Sequence, residues 1–168
     1  NTLGGAIDFD GVDQYINAGR GTGDALAITS DLTVETWVQF DDVSGTSGII
    51  DFANPGGSSA ANVLYQLEIS NGDIRYSHEN GGGSGETLTF DTNLTTGDWY
   101  HISVSRDVST KAISLYINGE LFETQNYVGN NPDGGGSSVL VIGANGAGGA
   151  LGDNSINGRM SDVRIWDA

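Results

Sequence analysis

The side chains available for chemistry are few and one-sided: 22 Asp and Glu against six Lys and Arg, two histidines and no cysteine. Glycosidic hydrolysis needs two carboxylates on one strand face, about 5 to 9 Å apart, one an acid and the other a nucleophile or base. No alternating E-x-D-x-E run occurs: Glu68 is followed at the next alternate position by Ser70, and Glu79 and Glu86 flank a glycine loop. Nucleophilic hydrolysis lacks a G-x-S-x-G elbow and has only His78 and His101 to serve as a base. A phosphate loop fails because neither GGAIDFDG nor GNNPDGGGSS ends in Gly-Lys-Ser/Thr. Zinc would depend on the same two histidines, at no recognised spacing. The expectation is a protein without catalysis. Its oxygen-rich side chains suit calcium, a hard cation. Loop residues Asp41, Asp42, Asp51, Asp133 and Asp153, with Asn130, Asn131, Asn145 and Asn154, are one candidate ligand set. No EF-hand spacing organises them, and the alternative is ordinary solvated loops.

The elements that position these groups are strands. Period-two alternation predicts clear strands at Leu32–Phe40, Val63–Ser70, Asp73–His78, Trp99–Arg106, Ala112–Asn118, Val139–Gly143 and Gly158–Trp166. Weaker ones fall at Gly5–Phe9, Tyr15–Asn17, Gly48–Phe52 and Glu86–Phe90. Asn71-Gly72 and Asn118-Gly119 each separate two alternating runs, and such pairs favour type I′ hairpins because both residues accept positive φ. Alternation in LTVETWVQF puts Leu32, Val34, Thr36, Val38 and Phe40 on one face, and Thr33, Glu35, Trp37 and Gln39 on the other. Trp37 is then an outer-face residue or one turned inward by a bulge, with packing favoured over ligand stacking. Trp99, His101 and Ser103 share a face in the same way. Polar loops remain at 41–48, 53–62, 79–86, 128–138 and 144–157.

A length of 168 residues suits one core, and 27 glycines place much of the chain in turns. The formal charge of −16 repels phosphates, which makes nucleic acid and membrane surfaces poor partners, and neither nucleic-acid binding nor membrane insertion is expected. No 18-residue apolar run occurs, and residues 1–20 lack a signal-peptide pattern. The expectation is a single domain over 1–168, a monomeric module cut from a larger secreted protein.

Four segments in order carry a family resemblance. They are AIDFDGVDQYINAG at Ala6–Gly19, LTVETWVQF with Trp37, TTGDWYHISVSRD followed by LYINGEL, and the closing INGRMSDVRIWDA. Together they resemble the laminin G-like, concanavalin A-like jelly-roll domains of secreted bacterial adhesins and carbohydrate-active proteins. The resemblance implies an all-β fold, a two-sheet antiparallel jelly-roll sandwich of about eleven or more strands. It also implies a structural calcium ion held by Asp162, with Asp8 or Asp10 and a carbonyl near Gly45 or Gly48. Against that, Asp8 and Asp10 can be turn formers, and Asp162 can pair with Arg164 or Arg159.

The function implied is a non-catalytic, extracellular carbohydrate-binding or cell-adhesion module that meets glycans or cell-surface glycoproteins. Candidate contacts are Tyr76, His78, Glu79 and Asn80 on one strand and its loop, with Tyr65, Asn130, Asn131 and Asp133 as further ones. Other classes stay open: a spacer in a large adhesin, a peptide- or protein-binding module, or an unusual glycosidase.

Overall fold

The structure, a computed structural model, describes residues 5–20, 25–53, 63–80, 85–132, 138–145 and 154–167. These form twelve strands: β1 (Ile7–Asp10), β2 (Ile16–Gly19), β3 (Leu32–Phe40), β4 (Thr46–Ala53), β5 (Val63–Ser70) and β6 (Asp73–Glu79), followed by β7 (Gly85–Phe90), β8 (Trp99–Asp107), β9 (Ala112–Ile117), β10 (Glu120–Asn126), β11 (Val139–Ile142) and β12 (Asn157–Asp167). They make two six-stranded sheets. Sheet A runs β1-β12-β3-β8-β9-β10 and sheet B runs β2-β11-β4-β5-β6-β7. The expected jelly-roll sandwich is what the chain adopts.

Each layer is set by alternation. Along β3 every second residue is buried, and Leu32, Val34, Val38 and Phe40 meet Ile102, Val104, Ile113 and Leu115 of the same sheet over the core. Sheet B supplies Ile50, Phe52, Tyr65, Leu67, Ile69, Ile74, Tyr76 and Phe90 from the other side. Both expected hairpins form: Asn71 and Gly72, and Asn118 and Gly119, all take positive φ, joining β5 to β6 and β9 to β10. Strand β10, for which the sequence reading set no range, is the partner that the second hairpin requires.

A charged side chain also belongs to the core. Arg106 is 2% exposed, and its guanidinium donates to the carbonyls of Ile28, Ser30 and Leu64 and to the Tyr76 hydroxyl, at 2.8–3.1 Å. A buried charge is tolerated when its donors are satisfied in this way.

Candidate functional site

Because side chains alternate along a strand, each sheet has a second face turned away from the core. On sheet B that face is built from polar residues. Register places Asp51 of β4 opposite Gln66 of β5, and Gln66 opposite Ser77 of β6. In the adjacent row Glu68 lies opposite Arg75, with Gly48 on its other side. Asp51, Gln66, Glu68, Ser77 and Glu79 are each less than a tenth exposed, which is unusual for polar groups on the outward face of a sheet.

At Glu68 a long-range contact contributes to this burial. At Gly48 the backbone of Ala144 and Asn145 passes so close that a Cβ would lie 2.3 Å from the Ala144 carbonyl carbon. The glycine therefore admits this segment onto the sheet, and Asn145 Nδ2 donates to Glu68 Oε1 at 2.7 Å. Arg75 approaches the other carboxylate oxygen at 3.7 Å while keeping its side chain 31% exposed. Burial pushes the Glu68 carboxyl above the usual carboxylate range, opposed by the Arg75 charge and the Asn145 hydrogen bond. Gln66 Nε2 is buried and has no hydrogen-bond partner among the described residues. An amide donor left unpaired costs about 1 to 3 kcal/mol, so this is a group that a water or a ligand would satisfy.

Several expected contacts lie elsewhere. In β6 the inward positions are Ile74, Tyr76 and His78, so Tyr76 and His78 point into the core between the sheets and not onto the outward face, and are only 2% and 1% exposed. His78 packs between the rings of Tyr76 and Tyr127, at 5.7 and 4.6 Å. Tyr65 is also buried, its hydroxyl donating to the Leu26 carbonyl. Glu79 does lie on the outward face of sheet B. Asn80 packs against Gly129 at one end of the sandwich, which brings it near the exposed Asn130 and Asn131. The Asn131 Oδ1 accepts from the Tyr127 hydroxyl at 2.7 Å. Asp133 lies outside the described residues, as does Asp153. Sequence reasoning missed Gln66, Arg75 and Ser77; the same alternation that names the core would have put them on one outward face.

The calcium residues are not assembled into one site. Asp162 sits at positive φ in a bulge of β12 and pairs with Arg164 at 2.7 Å. Asp8 pairs across with Arg159 and Asp10 with Asn157, further along that strand. Asp8 and Asp10 share a shallow polar pocket with Asp41 and Asn157, but Asp10 Oδ1 already accepts from the Val12 N–H. Gly45 is held by Asn71, and Gly48 serves the close approach described above. Among the described residues no three His, Cys, Asp or Glu side chains converge as a metal site. Asp162 is thus engaged by Arg164, while Asp8 and Asp10 lie against a different stretch of β12.

Sheet A carries a second outward face, with an open groove lined by Trp37, Trp99, His101, Asn118 and Gly119. Trp37 stays on the outer face and packs on the His101 ring, centroids 5.2 Å apart.

A family model described as the concanavalin A-like lectin/glucanases superfamily matches residues 10–168. The chain belongs to this superfamily. No curated protein sequence matches this superfamily member, but solved structures do. The CBM40 module of the Ruminococcus gnavus IT-sialidase, bound to α2,3-sialyllactose, is 16% identical with a TM-score of 0.80, covering 97% of this chain and 89% of that one. The leech intramolecular trans-sialidase is 16% identical with a TM-score of 0.79, over 97% of this chain and 25% of that one. The NanB sialidase from Streptococcus pneumoniae is 14% identical with a TM-score of 0.79, over 98% and 26%. At these identities the likeness is one of fold. In two of the three, this superfamily member spans only about a quarter of a longer enzyme chain.

Proposed function

We propose that the protein is a non-catalytic carbohydrate-binding module of a secreted or cell-surface protein, and that its glycan lies on the outward face of sheet B. The observation that carries this reading is the buried polar row containing Gln66, Glu68 and Asn145, with an amide donor at Gln66 that has no partner among the described residues. Sugar hydroxyl and amide groups are bound by planar amides and carboxylates held in place before the ligand arrives. Glu68 and Asn145 hold each other in this way. Arg75, exposed beside them, is a cation that can take up a sugar carboxylate by paired hydrogen bonds. The CBM40 module of similar fold was solved with sialyllactose, and this supports a terminal acidic sugar as the ligand class. Calcium has no part in the proposal.

The non-catalytic reading rests on Glu68 being tied to Asn145 and Arg75, which leaves it poorly placed to pass a proton to a leaving group. Titration calorimetry with α2,3-sialyllactose tests the proposal against Glu68→Gln and Arg75→Ala. Wild type binds, and each variant loses about tenfold or more, the cost of leaving a buried partner unpaired. Absence of binding to sialylated glycans by a folded wild type, or release of reducing ends from them, overturns it.

A further inference from the structure

The second face supports a separate site. The chain has three tryptophans, at 37, 99 and 166, and sheet order β12-β3-β8 brings all three to the outward side of sheet A. Register puts Trp37 opposite His101 and Gln39 opposite Trp99, so the two indoles are diagonal neighbours on adjacent strands. Trp166 lies on the next strand, opposite Thr33, and is 52% exposed. Burying such rings is worth a great deal, so three of them on one outward face form a surface with energy to offer a ligand.

The groove is ordered by side chains that hold one another. Glu35 Oε1 accepts from Trp166 Nε1 at 3.3 Å and from Arg164 at 3.4 Å, and Glu35 Oε2 lies 3.6 Å from His101 Nε2. His101 in turn supports the Trp37 ring. At the end of the groove the Asn118 Oδ1 accepts from the His101 N–H at 2.9 Å. That bond directs the Asn118 amide group, with its nitrogen left as a donor. Rings are thus interleaved with an amide and a carboxylate; the carboxylate is offset by Arg164, and Arg159, opposite Gln39 on the same face, has Asp8 opposite it on β1.

We propose that this groove is a second glycan site, distinct from the face of sheet B, and that it takes a neutral β-linked hexopyranose chain. Such a chain offers flat C–H faces to stack on indoles and equatorial hydroxyls to meet Asn118 and the rim of Glu35. An extended open groove with diagonal tryptophans fits several sugar units in a row better than one terminal sugar.

The test is cellohexaose titration, read by tryptophan fluorescence and calorimetry, on wild type, Trp99→Ala, Trp99→Tyr, Asn118→Gly and Glu68→Gln. Asn118→Gly removes the amide while keeping a residue suited to the positive φ of that turn. Wild type binds with a change in indole emission. Trp99→Ala weakens binding about tenfold or more, Trp99→Tyr keeps most of it, and Asn118→Gly falls between them. Glu68→Gln binds cellohexaose as wild type does, while sialyllactose binding responds to Glu68 and not to Trp99. The site is overturned by a folded wild type that ignores cellohexaose, by loss in Glu68→Gln instead of Trp99→Ala, or by a tyrosine as poor as alanine. Failure of sialyllactose alone would strike the sheet B reading and leave this one standing.

Discussion

At the scale of single residues, His78 shows how a polar side chain changes meaning with the face it occupies. It reads as a ligand contact when taken with its neighbours Glu79 and Asn80, yet alternation with Ile74 and Tyr76 puts it in the core. Neither ring nitrogen has a hydrogen-bond partner among the described residues. Burial, then the charge of Arg106, lowers its pKa from the usual 6.5 to about 4, with Glu86 opposing. The unfolded chain therefore takes up a proton near pH 6.5 that the native state refuses until about pH 4. Stability is full above 6.5 and is lost as pH falls towards 4, by up to about 3 kcal/mol. Asp107, held near 2 chiefly by its hydrogen bond from Ser109, acts only below that window. In His78→Leu the thermal midpoint should fall less than in wild type between pH 6.5 and 4; parallel curves would remove His78 from the account. Asp162 makes the opposite case. Its pair with Arg164 is well exposed on both sides, and pairs of that kind contribute about 0 to 1 kcal/mol. Asp162→Asn should shift the unfolding midpoint by no more than a degree or two, equally with EDTA and with calcium. A large shift seen only with calcium would restore the ion that the resemblance implied.

At the scale of elements, local chemistry was legible and distant contact was not. Strong alternation and two Asn-Gly turns were enough to place β3, β5, β6, β8 and β9 to within about a residue at most ends. The burial of the polar row on β5 was hidden, because Gln66 and Glu68 look like ordinary solvent-facing positions. Glu68 meets Asn145, 77 residues away, where the segment carrying Asn145 crosses at Gly48. Gly48 makes that crossing possible, a role no local pattern reveals. Gly48→Ala should cost about 2 kcal/mol or more, since the new Cβ meets backbone that cannot yield like a flexible side chain. It should also weaken binding at Glu68 by moving Asn145. Gly5→Ala, where a Cβ meets nothing within 4 Å, is the control and should change neither. Equal behaviour of the two variants in thermal unfolding and glycan titration would mean that the crossing segment does not build the site. The three tryptophans follow the same logic: far apart in sequence, they become one surface only through the sheet order.

At the scale of the whole molecule, a formal charge of −16 acts on every ligand before any contact forms. Arg75 offers one local cation to an acidic sugar, whereas the surrounding field repels it. The two effects separate with ionic strength, because the Debye length falls from about 30 Å at 0.01 M to about 8 Å at 0.15 M. Over that range the long-range repulsion is largely screened, while contact at Arg75 is reached only at short distance. Encounter rates follow the long-range term. The association rate of α2,3-sialyllactose, followed by stopped flow, should therefore rise with salt. That of neutral cellohexaose, approaching the tryptophan groove, should stay flat. A sialyllactose rate that falls with salt would mean that the ligand is drawn by local positive potential, and that the acidic surface of the molecule is too remote from the binding face to matter.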